Sequence, residues 1–240
     1  MLAAEGRPLV LVARSADALK AVAAEVAVKG GTAMPLPLDL GEAASGAAVA
    51  DTLAARALHC DVLVNNAGFG LRGAAAVLDR AEQLAMIDLN VRALTDLAYR
   101  FLPGMIDRRR GGIINVGSTA GYQPGPYMAT YYATKAFVRS LSLALGEEGR
   151  AAGVTVTCLA PGPVDTAFFD RAGANRARLF KLLPKLTAED VAAAGWRGFR
   201  QGRREVVPGL YNRLFAWFAP HLPAGLILPL LGRLQRPKAP

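Results

Sequence analysis

Cysteine is nearly absent from this chain: Cys60 and Cys158 are the only two among 240 residues. That excludes a disulfide framework, and both border or lie in apolar segments, as inert core thiols do. Histidine is equally scarce. His59 and His221 stand far from each other and from every candidate motif, so no metal site is expected. Long apolar runs are missing too. The strongest stretch, Leu214 to Leu231, is interrupted by Pro220, Pro223 and Pro229, whereas a spanning helix needs about 20 apolar residues in succession. The region 2–30 is apolar but carries Glu5, Arg7, Arg14 and Asp17 without a cationic start, so it does not read as a signal peptide. No internal repeat or low-complexity linker is present. A cytoplasmic protein is the expectation from these absences.

Acidic residues also run out along the chain. Residues 1–170 hold 15 Lys/Arg against 16 Asp/Glu, whereas residues 171–240 hold 13 against 3, a net of +10 that accounts for the overall +9. This basic region coincides with the most apolar tail of the chain, which favours an anionic, partly apolar partner such as a membrane surface. It carries no recognisable nucleic-acid motif, so no nucleic acid is expected.

What is present centres on residues 112–135. Ile113 to Val116 is a short apolar run of the kind that forms a buried strand. A Gly- and Pro-rich loop follows, and Ala129 to Ala144 reads as a helix. Tyr131 and Lys135, four apart, share a face of that helix, and Ser118 ends the strand thirteen positions before Tyr131. A phenol, an ammonium and a hydroxyl converging at the carboxyl end of a strand make a proton-transfer site. A free phenol near pKa 10 is too weak a base at neutral pH, and a cation one helical turn away favours its phenolate. Tyr132 and Tyr127 compete for the role. Tyr132 is rotated about 100° from Tyr131 and lacks a Lys four residues on, so packing is the reading for both.

Around this stretch strands and helices alternate. Pro8 to Ala13 is a strand; Ser15 caps a helix that Gly30-Gly31 stops. A second strand ends in Leu38-Asp39-Leu40, a helix runs from Gly41 to Ala57, and Asp61 to Val64 is the next strand. Asp79 to Asp107 reads as one long helix broken near Pro103-Gly104. Strand, helix and strand follow at 113–117, 129–152 and 154–160, and a last short strand at 205–207. The alternation predicts an α/β fold with a doubly wound parallel sheet covered on both faces. The segment Gly68 to Gly73 matches G-x-G-x-x-G, but Asp88, twenty residues on, sits in a helical stretch rather than at a strand end, so the match is set aside.

The ordered set Asn65-Asn66-Ala67-Gly68, Asn90, Ser118, Tyr131-x-x-x-Lys135 and Pro161-Gly162-Pro163-Val164-Asp165-Thr166 resembles the short-chain dehydrogenase/reductase family over nearly the whole chain. The resemblance implies a Rossmann-type fold over 1–205, followed by a basic, apolar helical extension over 206–240. It implies Asn90, Ser118, Tyr131 and Lys135 as catalytic residues, with Tyr131 moving the proton, Ser118 aligning the substrate oxygen, Asn90 positioning a water and Lys135 also binding the nicotinamide ribose. Asp39 and Leu40 resemble the family's adenine contact, and Asn66, Ala67 and Gly68 its contact to the adenosine ribose. Pro161, Gly162, Val164 and Thr166 fall in the loop that holds the carboxamide.

Arg14 ends the first strand, where an acidic residue would accept bonds from a ribose 2′-hydroxyl and an Arg accommodates a 2′-phosphate. NADP(H) is therefore preferred, with NAD(H) as the other option. Family chains open with a strand, a glycine-rich turn and a helix, whereas Met1 to Gly6 resembles the tail of that helix. The expectation is that the first, central strand and its turn are missing and that the gene product starts upstream. That departure sustains a rival reading as a non-catalytic binding or regulatory protein; an epimerase or dehydratase on the same scaffold is another.

The substrate expected is an apolar carbonyl or alcohol, because Ala167-Phe168-Phe169 through Phe180-Lys181-Leu182-Leu183 supplies apolar and basic residues for a lid. A homo-oligomer is open. In the tail, Leu210, Leu214, Trp217 and Phe218 form one helical stripe. Leu226, Ile227, Leu230, Leu231 and Leu234 form another, near Arg233, Arg236 and Lys238. Each stripe either packs on the domain or a second subunit, or lies peripherally on an anionic membrane beside Arg213.

Overall fold

The computed structural model describes residues 2–166, 168 and 186–237. Most of the expected lid and Lys238 lie outside them. The chain divides into two compact units, residues 1–57 and 58–240.

In the first unit, β1 (Leu9–Ala13) and β2 (Ala33–Pro37) pair in parallel, joined through α1 (Ala16–Val28). The Ser15 hydroxyl accepts from the backbone N–H of Ala18, and Gly30 takes the left-handed conformation (φ 77°) that ends the helix. The expected helix over Gly41 to Ala57 is shorter, α2 (Ser45–Ala54). Its start is delayed because Asp39 Oδ1 accepts from Gly41 N–H and Ser45 Oγ donates to the carbonyls of Leu40 and Glu42, which holds residues 39–45 in a turn.

In the second unit, β3 (Val62–Asn65), β4 (Gly112–Val116), β5 (Thr155–Leu159) and β6 (Glu205–Val206) form a parallel sheet in chain order. Helices α4 (Leu94–Asp107) and α5 (Ala129–Arg150) cover one face, where Leu102, Met105, Ile113, Leu145 and Val156 pack together. The other face receives α6 (Ala188–Arg200), with Ile114, Leu159 and Val191 in contact with Trp196 and Phe199. Ile113 and Ile114 thus serve opposite faces of one strand, as the two-residue period demands. A run of hydrogen bonds crosses this layer. Asn65 Nδ2 donates to Asn115 Oδ1 at 2.9 Å, Asn115 Nδ2 to Ser142 Oγ at 3.0 Å, and Ser142 Oγ to the Val138 carbonyl at 2.6 Å. This chain of bonds ties β3 to β4 and β4 to α5.

The expected long helix over 79–107 is present, but its irregularity lies elsewhere than at Pro103, which is inside α4. Residues Asp88–Ala93 form a π-helical segment between α3 (Arg80–Ile87) and α4. Insertions of this kind re-aim one side chain, and here that side chain is Asn90. After β6, α7 (Leu210–Phe218), a 3-10 turn (Ala219–His221) and α8 (Ala224–Gln235) complete the described chain and belong to the second unit.

Candidate active site

Parallel strands place their carboxyl ends on one edge of a sheet, and the loops that leave β3, β4 and β5 there carry Asn66 to Gly68, Ser118 and the 161–166 residues, while Asn90, Tyr131 and Lys135 stand on helices. Gly117 N–H donates to the Leu159 carbonyl at 2.7 Å, and Thr119 N–H to the Pro161 carbonyl at 2.9 Å, so the Ser118 loop and the 161–166 loop are bonded together. Lys135, buried on the second turn of α5, donates from Nζ to the Val116 carbonyl at 2.7 Å. Its ammonium therefore closes off the last residue of β4 instead of entering solvent.

Tyr131 sits one helical turn earlier, buried among Met86, Ala120, Met128, Phe69, Leu71 and Phe168. The Phe168 ring lies 5.4 Å from its ring centroid. Burial pushes the Tyr131 phenol up to about 12, a hydrogen bond with Ser118 opposing the rise. Burial also brings Lys135 down to about 8. Lys135 Nζ lies 5.9 Å from the phenol ring centroid. The expected push toward phenolate is thus not what governs Tyr131 in this structure. Desolvation dominates, and it favours the neutral phenol.

Asn90 is fully committed. Its Oδ1 accepts from Phe69 N–H at 3.1 Å, and its Nδ2 donates to the Phe69 carbonyl at 2.9 Å and to Thr134 Oγ1 at 3.2 Å. Thr134 in turn donates to the Tyr131 carbonyl. Asn90 therefore clamps the turn after β3 against the helix of Tyr131 and Lys135. Gly68 belongs to that clamp: a Cβ there would stand 2.9 Å from Asn90 Oδ1 and 3.8 Å from Lys135 Nζ. Asn66 and Ala67 beside it are exposed. In the loop after β5, Pro161 is buried, Gly162 and Val164 are half-buried and Thr166 is exposed. Val164 bridges to Leu186.

The competing tyrosines have structural roles. Tyr132 Oη accepts from Gln235 Nε2 at 2.8 Å. Tyr127 takes a left-handed backbone (φ 65°), unusual for a bulky residue, and its carbonyl accepts from Gly73 N–H. The G-x-G-x-x-G stretch is a brace: Phe69 is held by Asn90, Gly73 by Tyr127, and Arg72 donates to the carbonyls of Gln235 and Arg236 at 2.7 and 2.9 Å. Asp88 pairs with Arg92 inside the π-helical segment. In the first unit, Arg14 and Asp39 end neighbouring strands, their charged groups 3.8 Å apart and both side chains well exposed, with Leu40 next along the chain.

Sequence reasoning missed Asn115, Ser142, Thr134, Arg72 and Gln235. A polar residue inside an apolar strand run was a usable signal for Asn115. Gln235 lies 103 residues from its partner Tyr132 and had none.

The model of the short chain dehydrogenase family matches residues 1–177. The NADP-dependent 3-hydroxy acid dehydrogenase of Salmonella typhi is 34% identical over 201 residues, covering 80% of this chain and 78% of that protein. The very-long-chain 3-oxoacyl-CoA reductase of Laccaria bicolor is 38% identical over 158 residues, 65% of this chain, but the chain spans only 47% of the fungal protein's length. Among solved structures, a short-chain dehydrogenase from Sphingobium yanoikuyae in complex with NADPH superposes with a TM-score of 0.80 at 32% identity, covering 94% of this chain and 87% of that one. A bulky-bulky ketone specific alcohol dehydrogenase from Comamonas testosteroni gives 0.74 at 27% identity, covering 89% and 82%.

Proposed function

The chain belongs to the short-chain dehydrogenase family, and we propose that it reduces an apolar ketone or 3-oxoacyl compound to a secondary alcohol with NADPH. The observation that carries this is the placement of Tyr131: a buried phenol beside Ser118, one helical turn from Lys135 and at the carboxyl ends of β4 and β5, is set to give a proton to a substrate oxygen. In the reductive direction Tyr131 gives its proton to the substrate oxygen, and Ser118 Oγ, beside it, aligns that oxygen. Lys135 and Asn90 keep the donor's helix and the β3 turn in register. The nicotinamide, when bound, supplies the hydride that reaches the carbonyl carbon.

The residues present fit such a cofactor. Gly68, where any side chain would strike Asn90, leaves backbone open to a close-lying ribose. Exposed Asn66 and Ala67 and the loop of Pro161, Gly162, Val164 and Thr166 flank the same strand ends. We assign the 2′-phosphate to Arg14, exposed at the end of β1. NADPH in the Sphingobium structure and NADP dependence in the Salmonella relative's name support that choice.

Apolar substrates are favoured because the surround of the phenol is Met86, Met128, Phe69, Leu71 and Phe168. The names of the fungal reductase and the bulky-ketone enzyme point the same way.

The test is NADPH oxidation by the purified chain against a panel running from acetone-sized ketones to aryl alkyl ketones and long-chain 3-oxoacyl thioesters. Turnover that rises with apolar bulk and is carried by NADPH over NADH is expected. NADPH binding without turnover on any member would overturn the reductase reading.

A further inference from the structure

We infer that the outward face of α7 and α8 is a docking surface for an anionic lipid bilayer. Helix α7 already meets the rest of its unit through Ala216 and, just beyond the helix, Ala219, which are buried with Tyr122, Cys158 and Ala160, and Asn212 is buried too. Asn212 Nδ2 also donates to the Pro208 carbonyl at 2.8 Å. Phe215 packs on the same cluster, and Leu231 of α8 is buried as well. A second set of large apolar residues faces outward: Leu210 is 66% exposed, Trp217 64% and Leu226 74%, with Leu214, Phe218 and Leu230 each more than half exposed. The helices thus carry apolar residues on the outer face as well as the inner one, and exposed apolar patches of this kind mark a partner.

Charge identifies the partner. Residues 206–240 contain Arg213, Arg233, Arg236 and Lys238 and no Asp or Glu. Arg213, Arg233 and Arg236 are all exposed beside the apolar face. A second copy docked through a two-fold contact would set this cationic patch against itself. An anionic headgroup layer over acyl chains complements both of its properties. Trp217 has the amphipathic ring favoured at that boundary. The helices have 9 and 12 residues with Pro220 and Pro223 between them, and no helix among the described residues is long and apolar enough to cross a membrane. The chain therefore lies on the bilayer. The inner end of α8 bonds Tyr132, the neighbour of Tyr131, through Gln235. One hydrogen bond thus links the lipid-facing layer to the helix that carries Tyr131. The inference stands on exposure and charge, independently of the reductase reading.

Flotation of the full chain with vesicles of phosphatidylcholine alone and of phosphatidylcholine mixed with phosphatidylglycerol tests it, beside sedimentation equilibrium without lipid. Flotation with the anionic vesicles at low salt, and little with the neutral ones, is expected. Leu214→Ser with Trp217→Ser should abolish it. Arg213→Ala with Arg233→Ala, which leaves the apolar face intact, should weaken partition about thirtyfold, at roughly fivefold for each base. Reduction of a water-soluble ketone should be unchanged in both variants. A full chain that ignores anionic vesicles overturns the inference. So does a dimer that the Leu214/Trp217 change dissociates while vesicles go unbound, since the face would then serve self-association.

Discussion

Around Tyr131 the chain buries polar groups, and along α7 and α8 it exposes apolar ones; both invert what folding alone favours. On α5, Tyr131, Thr134, Lys135 and Ser142 all point inward, and each has a hydrogen-bond partner. On α7, Leu210, Leu214 and Trp217 point outward with no core behind them. Buried polar groups cost free energy unless every one is paired, and exposed apolar groups forgo the burial that stabilises a fold. Inversions of this sort concentrate at functional sites. The difference is in what holds them: the first is fixed from within by hydrogen bonds, and the second is complete only with something from outside.

The largest effect that would sharpen this contrast is chemical. Tyr131→Phe keeps the ring and its contact with Phe168, so melting should be little changed, while turnover should fall at least about 100-fold, the lower range for a lost acid–base group. Near-normal turnover in the folded variant would remove Tyr131 from the role. Next is Asn115→Ala, which takes a partner from Asn65 and from Ser142 in a site with no solvent. We expect a loss of about 3 kcal/mol in denaturant unfolding, the upper range for orphaned buried groups. A loss under about 0.5 kcal/mol would show that the network is not under load.

Lys135 gives a pH-dependent version of the same comparison. Burial lowers its folded-state value from 10.5 to about 8, so between those values the unfolded chain binds more protons than the folded one. Stability contributed by this residue must then rise as pH climbs through 8 toward 10, by on the order of 2 kcal/mol. Lys135→Met should flatten that rise. A profile with the same slope in both proteins would place the titration elsewhere. The smallest effect belongs to the tail: Trp217→Ser in the absence of lipid should change stability by no more than about 0.5 kcal/mol, because the ring is 64% exposed and its ring contacts, Phe218 and His221, are themselves exposed. A larger loss would mean that α7 packs through its outer face after all.

The two regions also differ in how far the sequence disclosed them. The grouping of Tyr131, Lys135 and Ser118 was legible because their spacing puts them on adjoining elements, and the strand ends that gather them follow from alternation alone. The π-helical segment at Asp88–Ala93 was not, since its cause is the reach of Asn90 to Phe69, twenty-one residues away. Pro103 misled for a related reason. A proline inside a helix removes one bond, and the packing of Leu102 and Met105 carries α4 past it. In the tail the periodicity was correct and the direction was not fixed by it. A stripe at i, i+4, i+7 and i+8 says which residues share a face, and the packing of Phe215, Ala216 and Ala219 on Tyr122 and Cys158 shows which face turns in.

The account rests most heavily on Tyr131 being a protonated phenol held by an apolar surround. Ultraviolet difference titration of the wild-type protein against Tyr131→Phe isolates that one group among six tyrosines. With the phenol raised to about 12, no phenolate from Tyr131 should form as the protein is taken from pH 6 to pH 10, the ordinary tyrosine value. A phenolate signal in that difference titrating near neutral pH would contradict the account, and would make Tyr131 a base set by Lys135 instead of a donor set by burial.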